Sequence, residues 1–173
     1  LVLVGNMKKN VSNKIDSKFV RLEDIEICGE LGVKLDMNFT RLEGQWYRPQ
    51  EVFDADQHGW PADWEGRLIL ALSLLNRTTG RKPVHLETII SMLPQYFNSR
   101  GYLGVEHPEG IADEQQLAGH SWFIRGLIEY YKLHDDDKVL SYIDNLIDNL
   151  FLPALQNYEC YPITPEQREN TPT

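Results

Sequence analysis

The residues most able to do chemistry stand at the starts of two apolar helices that the sequence predicts. One start reads DWEGR, residues 63–67, and the other reads EQQLAGH, residues 114–120. They supply carboxylate, amide and imidazole side chains: Asp63, Glu65, Gln116 and His120. If both starts face the same end of a bundle, these groups would lie close to Trp64 and Tyr102. The set predicts a sugar-binding site, because sugars are held by hydrogen-bonding side chains and by aromatic faces.

A pair of carboxylates is also the residue set that cleaves a glycosidic bond by general acid–base chemistry. The two groups must then lie ~5–9.5 Å apart, a distance that the sequence does not specify. The alternative is structural: Asp63 is predicted as a helix N-cap, and acidic residues in a first helical turn gain roughly 0.3–1 kcal/mol from the helix dipole. Arg67 follows Asp63 by four residues, which is the spacing of a helical ion pair. Both interpretations are open at this level.

His120 has two possible environments. It lies one turn before a set of apolar helix positions, Phe123, Ile124, Leu127 and Ile128. Its imidazole is therefore either a hydrogen-bonded group of the core or a group that faces a pocket. The residue types around it are compatible with both alternatives.

The composition is that of one globular domain with an acidic balance. The chain has 173 residues and a formal net charge of −9, which disfavours nucleic acid and anionic membranes as partners. No stretch approaches the ~20 apolar residues of a transmembrane helix. Cys28 and Cys160 are too few for a cysteine zinc site and are predicted as free thiols. No phosphate-binding or serine-hydrolase motif is present in the sequence.

The chain divides into four segments by composition. Residues 1–18 form a polar tail, and residues 19–63 form a segment with mixed, partly strand-like alternation that ends in an aromatic loop. Residues 64–152 contain helical patterns, predicted at 64–79, 83–98, 115–133 and 136–151. Residues 153–173 are an exit segment. The predicted fold class is therefore all-α, with a short irregular or β N-terminal segment.

The four predicted helices form two similar pairs. A shift of 53 residues places Gly66 on Gly119, and a shift of 54 places Leu86 on Leu140. This repetition predicts an array of helical hairpins. Because two hairpins leave their end faces uncovered, we expect either a larger polypeptide or self-association.

Three stretches of the sequence resemble one family. ADWEGRLILALSLLNRTTG, RGYLG and DEQQLAGHSWFIRGLIEYYKLHDDDKVL are similar to the front half of the catalytic barrel of β-L-arabinofuranosidase-type glycoside hydrolases. The resemblance covers roughly residues 20–152. It implies a six-hairpin (α/α)6 toroid around a sugar pocket, with His120 directed into that pocket and with Trp64 and Glu65 on the neighbouring inner helix. Tyr102 would be a structural or pocket-lining aromatic.

The resemblance also implies features that these residues do not carry. Family members have a cysteine nucleophile and a zinc ion in the later half of the barrel, and a histidine often stands at the position of Asp113. This chain would then hold about two of the six hairpins and lack the catalytic centre, with no cofactor of its own. A secreted or periplasmic location and a carbohydrate partner follow from the same resemblance.

Two functions from different classes result. The first is a portion of a carbohydrate-active hydrolase that cleaves plant or microbial glycans, with His120, Glu65, Asp63 and Gln116 as sugar contacts. The alternative is a non-catalytic helical-repeat module that closes its core by self-association through an apolar face formed by Leu68, Leu72, Ile124 and Ile128.

Overall fold

The computed structural model describes residues 20–53, 60–108 and 111–157, and within these ranges it contains helices and turns but no strand. The predicted tail 1–18, the part of the exit segment beyond residue 157 and Cys160 lie outside the described residues. The α-helices are α1 (Gly29–Leu42), α2 (Pro49–Val52), α3 (Asp63–Thr79), α4 (Leu86–Met92), α5 (Glu114–His134), α6 (Asp137–Leu146) and α7 (Leu152–Ala154). The all-α prediction is confirmed for this part of the chain.

Helices α3 and α5 form the centre of the fold and pack with their backbones almost in contact. A Cβ atom on Gly66 would lie 2.3 Å from the backbone nitrogen of Phe123, and one on Gly119 would lie 2.1 Å from the carbonyl oxygen of Pro61. Farther along, Arg77 forms an ion pair with Glu129. The contact positions advance toward the C-terminus along both helices. The two helices are therefore parallel and begin at the same end of the molecule.

Each central helix is followed by a shorter helix that runs back beside it. Gly80 ends α3 in a left-handed conformation, with φ of 67°, as its position after the last apolar residue predicts. Asp135 and Asp136 form the tight connection from α5 to α6, and the Asp136 side chain caps α6 by accepting from the Lys138 nitrogen. The two predicted hairpins are therefore present as helix pairs.

The core is built from the apolar faces that the periodicity predicts. Its fully enclosed side chains come from both pairs: Phe123, Ile69, Leu72, Leu86, Ile89, Leu93, Leu127 and Leu146. Each such side chain contributes roughly 1.5–3 kcal/mol through removal from water. The proposed equivalence of the outer helices at a shift of 54 fails, because Leu86 is buried whereas Leu140 is 37% exposed. The buried residues Leu86, Ile89 and Leu93 of the first pair instead match the buried residues Ile143, Leu146 and Leu150 of the second pair.

The expectation of a strand-like N-terminal segment is wrong. Residues 29–42 form helix α1, and Leu22–Asp24 form a single 3₁₀ turn. The helix buries only Phe39 and Leu42 completely, while Leu31 and Met37 are exposed. The apolar residues at 31, 33, 35, 37 and 39 occupy every second position, which is the spacing of a strand and explains the wrong expectation.

Two prolines shift the predicted helix ends. The second predicted helix, 83–98, is shorter than expected: α4 ends at Met92 and continues as a 3₁₀ turn, Leu93–Gln95. Pro94 lacks the backbone N–H that would extend the α-helix. After α6, residues Ile147–Phe151 form a π-helical turn. Pro153 explains this turn, since its ring would clash with the carbonyl of residue 149 in a regular α-helix.

None of the helices in the described ranges is long and apolar enough to cross a membrane.

Candidate functional site

The start of α5 is closed by a network of polar groups. Asp113 is the N-cap: one carboxylate oxygen accepts from the backbone nitrogens of Gln115 at 2.9 Å and Gln116 at 3.2 Å. Its other oxygen lies 3.2 Å from Nε2 of His107. The cap therefore also ties the preceding loop to the helix.

The Gln116 side chain fixes the loop that runs above the start of α5. Its amide nitrogen donates to the carbonyl oxygens of Leu103 at 3.3 Å and Val105 at 2.9 Å. The residue is buried. Gly104, with φ of 91°, permits this approach, because a Cβ atom there would lie 2.8 Å from the Gln116 amide nitrogen. Gln116 thus acts first as a support for the loop.

His120 is a bonded group of the core. It has no exposed surface, and its Nε2 lies 3.3 Å from the backbone nitrogen of Leu103 while its Nδ1 lies 2.7 Å from the carbonyl oxygen of Gln116. The Leu103 N–H can only donate, so Nε2 accepts and Nδ1 carries the proton. Burial lowers the pKa of His120 to about 4, which keeps the ring neutral at physiological pH. Of its two possible environments, the structure shows the core one.

Tyr102 packs beside this histidine. Its ring meets the His120 ring edge-on, with centroids 5.9 Å apart, and only 2% of the residue is exposed. Asn98 holds the turn that carries it, because the Asn98 side-chain oxygen accepts from the backbone nitrogens of Arg100 and Tyr102. The RGYLG motif is therefore a rigid turn sealed onto α5.

The start of α3 is built differently. Ala62 precedes the helix with φ of 70°, and no side chain caps it, so the prediction of Asp63 as the N-cap is wrong. Asp63 lies in the first turn and pairs with Arg67 at 2.9 Å. The predicted i,i+4 ion pair is thus confirmed. Arg67 is half-exposed in this pair and Asp63 is partly buried.

Glu65 has an exceptional environment at this start. Its Oε2 is buried and has no hydrogen-bond partner among the described residues. Burial, reinforced by the nearby charge of Asp63, raises the pKa of Glu65 to about 7, although hydrogen bonds from the backbone at Glu65 and Ala62 oppose the shift. The carboxyl group is therefore close to half-protonated at neutral pH.

A cleft of about 260 Å³ opens at the start of α5, between the loop before it and the end of α6. We call it the α5 cleft. Its apolar floor includes Leu117 and Leu150. Its polar lining combines a base, an acid, amides and a phenol: Arg100, Tyr102, His107, Asp113, Gln116 and Asn149.

The α5 cleft unites only two of the predicted site residues, Tyr102 and Gln116. Asp63, Glu65 and His120 do not line it, and Trp64 lines a separate cleft beside α1. The prediction that both helix starts face one end is confirmed by the parallel packing, but their side chains do not share one cavity.

The residues that sequence reasoning missed come from three places. Asp113 carries a detectable signal, since an acidic residue three positions before a glutamine is typical of a helix start. Arg100 belongs to the RGYLG motif, of which only Tyr102 was predicted as a site residue, and His107 lies in a loop without a motif. Asn149 enters the cleft through the π-helical turn, where its side-chain nitrogen donates to the Arg100 carbonyl oxygen at 2.8 Å.

The charge in the cleft is partly balanced within the loop. Arg100 lies 3.6 Å from Glu106, and the Ser99 hydroxyl donates to the same carboxylate at 2.6 Å. That hydroxyl bond lowers the pKa of Glu106, so Glu106 is ionised at neutral pH. The described residues contain no group of three or more His, Cys, Asp or Glu side chains placed to hold a metal ion.

The chain matches no family model, no curated protein and no solved structure.

Proposed function

We propose that this chain is a portion of a carbohydrate-active glycoside hydrolase and that a sugar binds in the α5 cleft. The observation that carries the proposal is the lining of this cleft. Asn149 offers an amide, Arg100 offers guanidinium donors, and the His107–Asp113 pair offers both a donor and an acceptor. Sugar hydroxyl groups donate and accept at once, so a mixed lining of this kind suits them.

The size of the cleft supports a small ligand. A volume of about 260 Å³ lies just below the roughly 300–1,000 Å³ typical of drug-sized ligands. The apolar part of the lining, which includes the partly exposed Ile111, offers a surface for the C–H face of a sugar. A single sugar residue at the end of a glycan is therefore the expected occupant.

The helix arrangement supports the toroid as the parent architecture. The central helices α3 and α5 are parallel, and each is followed by a helix that runs back beside it, as in consecutive hairpins of an (α/α)6 barrel. The α5 cleft lies at the end where both central helices begin. In the proposed enzyme this end faces the substrate, and β-L-arabinofuranosidase-like cleavage of plant or microbial glycans is the expected reaction.

Glu65 is the acid–base candidate within this chain. A carboxyl group with a pKa of about 7 keeps a proton that it can donate to a glycosidic oxygen at neutral pH. Glu65 does not line the α5 cleft, so in the proposal it acts on a part of the substrate that extends from the cleft toward the α3 start. The nucleophile and any zinc site belong, in this proposal, to a part of the polypeptide beyond these residues.

Ligand-observed NMR with a panel of neutral monosaccharides, including L-arabinose, tests the sugar site. We expect binding that Asn149→Ala weakens, since this substitution removes one amide from the cleft. Asn145→Ala is the matched control, because Asn145 lies one helical turn earlier and does not line the cleft. Absence of binding to any sugar, or equal binding by both variants, would contradict the sugar site.

The helical-repeat module remains the second candidate function because of the exposed apolar side chains. Leu31, Val33 and Met37 on α1 are each more than half exposed, and an exposed apolar helix face is typical of an interaction surface. Sedimentation equilibrium separates the two functions. A dimer that binds no sugar favours the module, whereas sugar binding by a monomer favours the hydrolase.

A further inference from the structure

A second cleft, outside the α5 cleft, lies between the end of α1 and the outer side of α3. We call it the Trp64 cleft. It encloses about 200 Å³ and has an apolar floor formed by Leu42, Leu68 and Ala71. The glycosidase proposal does not use this cleft, and its lining differs in chemistry from that of the α5 cleft.

One wall of the Trp64 cleft is aromatic and already ordered. The rings of Tyr47 and Trp64 stack with centroids 5.7 Å apart and an interplanar angle of 10°. Trp64 is held by helix α3, and Tyr47 lies in the 3₁₀ turn Gln45–Tyr47. Stacking turns one face of each ring toward the other, and the Arg41 guanidinium lies over the Tyr47 ring, 5.2 Å from its centroid. The stacked pair is thus an ordered aromatic border beside the apolar floor, and a ligand with a compact apolar body can pack against both without rearrangement.

Two arginines stand at the rim of this cleft, and only one of them is neutralised. Arg67 forms an ion pair with Asp63 at 2.9 Å. The hydrogen bonds of Arg41 in the described residues go to uncharged acceptors, the side-chain oxygen of Asn38 and the hydroxyl of Tyr47. Arg41 therefore keeps a full positive charge beside an apolar surface, on a protein whose net charge is −9.

The same bonds orient the Arg41 side chain for a ligand. A guanidinium group has five N–H donors, and Asn38 and Tyr47 receive three of them. The remaining donors, one on each Nη atom, are the kind that hold a carboxylate in a fork. Because Asn38 and Tyr47 already fix the group, less rotational freedom is lost when a ligand binds.

We propose that the Trp64 cleft binds a small organic carboxylate whose ring-sized body has an apolar face, with Arg41 holding the carboxylate and the Tyr47–Trp64 wall holding the ring. Two kinds of molecule share this chemistry, a planar aromatic acid and a sugar acid. The proposal does not depend on the sugar site in the α5 cleft, because no residue lines both clefts.

Binding of benzoate and of glucuronate, followed by ligand-observed NMR, tests the proposal. We expect at least one of them to bind with a Kd of roughly 1 mM or tighter. Its uncharged counterpart, benzyl alcohol or glucose, should bind roughly tenfold or more weakly, since a charge-assisted hydrogen bond is lost. Preference for benzoate identifies an aromatic acid as the ligand class, and preference for glucuronate identifies a sugar acid. Equal binding of the acids and their uncharged counterparts would overturn the proposal.

Arg41→Gln should weaken binding of the acid roughly tenfold or more, and Arg125→Gln is the matched control. Because Arg125 shares the Trp122 ring with Arg67 of the cleft rim, Lys138→Gln is a second control, at an exposed cation on α6 that does not line the cleft. If Arg41→Gln unfolds the protein, Ala71→Phe fills the floor without changing the arginine and should abolish binding. Failure of both acids to bind, or unchanged binding in the folded variants, would disprove the site.

Discussion

The starts of the two central helices lie at the same end of the molecule but differ in the hydrogen bonding of their buried polar groups. At the α5 start, Gln116 and His120 are buried and each is hydrogen-bonded within the fold. At the α3 start, Glu65 keeps a buried carboxylate oxygen without a partner among the described residues. The buried side chains at the α5 start thus have hydrogen-bond partners, whereas one carboxylate oxygen at the α3 start has none among the described residues.

The loops in front of the helices cause this difference. The residues before α5 fold over its first turn, so that Leu103 and Val105 supply backbone groups to Gln116 and His120. The α3 start has a single left-handed residue, Ala62, and no side-chain cap. Burial raises the pKa of Glu65 even though backbone hydrogen bonds at Glu65 and Ala62 oppose the shift, whereas burial lowers the pKa of His120, whose neutral ring is held by two hydrogen bonds.

The comparison predicts opposite dependences of stability on pH, and His120 should have the largest effect. The unfolded chain binds a proton on this histidine below the ordinary histidine pKa of 6.5, but the folded chain does so only near pH 4. Its contribution is therefore complete above pH 6.5 and is lost as the pH falls toward 4, by roughly 3 kcal/mol. His120→Gln should remove this loss while lowering stability at neutral pH, because its bonds to Leu103 and Gln116 are disrupted.

Urea unfolding of both proteins across this pH range measures the difference. His85→Gln is the control, since His85 is partly exposed and its ring bonds, within the described part of the chain, to the Glu43 carbonyl oxygen. A difference between wild type and His120→Gln that stays constant with pH would show that the two helix starts do not differ in the way described.

Glu65 should show the reverse dependence. Its folded pKa of about 7 lies above the ordinary glutamate value of 4.5, so the folded state holds the proton more tightly. Stability is then greatest below pH 4.5 and falls by roughly 3 kcal/mol as the pH rises through 7. Glu65→Gln, which keeps the shape without the charge, should gain this amount relative to wild type between about pH 4 and about pH 8.

The measurement is the wild-type minus variant difference in unfolding free energy, because the contributions of Glu65 and His120 oppose each other between pH 4.5 and 6.5. Glu51→Gln, an acid-to-amide change in the separate helix α2, provides the control. No gain at high pH in Glu65→Gln would mean that the carboxylate finds a partner when it ionises.

The acidic residues at the two helix starts, Asp113 and Asp63, should differ by a smaller amount in their contribution to the free energy of unfolding. Asp113→Ala removes an N-cap that satisfies two backbone nitrogens and should cost about 1 kcal/mol. Asp63→Ala removes only a surface ion pair with Arg67 and should cost less than about 0.5 kcal/mol. Thermal unfolding of the two variants compares them directly, and an equal loss in both would contradict the assignment of Asp113 as the only side-chain cap of the pair.

Local patterns are enough to predict the central elements. The helices over 64–79 and 115–133 lie within two residues of α3 and α5, because their apolar residues recur with the helical period on the faces that become buried. The i,i+4 pair of Asp63 and Arg67 and the ending of α3 at Gly80 also depend only on neighbours along the chain. Helix α1 escapes prediction because its apolar residues at 31, 33, 35, 37 and 39 alternate as in a strand.

The candidate site can be predicted only in part. The sequence places Gln116 and Tyr102 near a ligand, and both line the α5 cleft, but Arg100 and Asn149 reach it from segments 49 residues apart. No local sequence pattern indicates that these two segments meet. The sugar and toroid predictions stay proposals that the binding experiments decide.

The central helices and their buried faces can be predicted from the amino-acid sequence, since hydrogen bonds between close neighbours and the helical period fix both. Whether a buried polar group has a hydrogen-bond partner depends instead on the tertiary structure. The protonation of Glu65 and His120 depends on removal from water by distant segments, and on whether those segments bring hydrogen-bond partners with them. For the same reason, the two clefts and the charge left on Arg41 exist only in the folded chain.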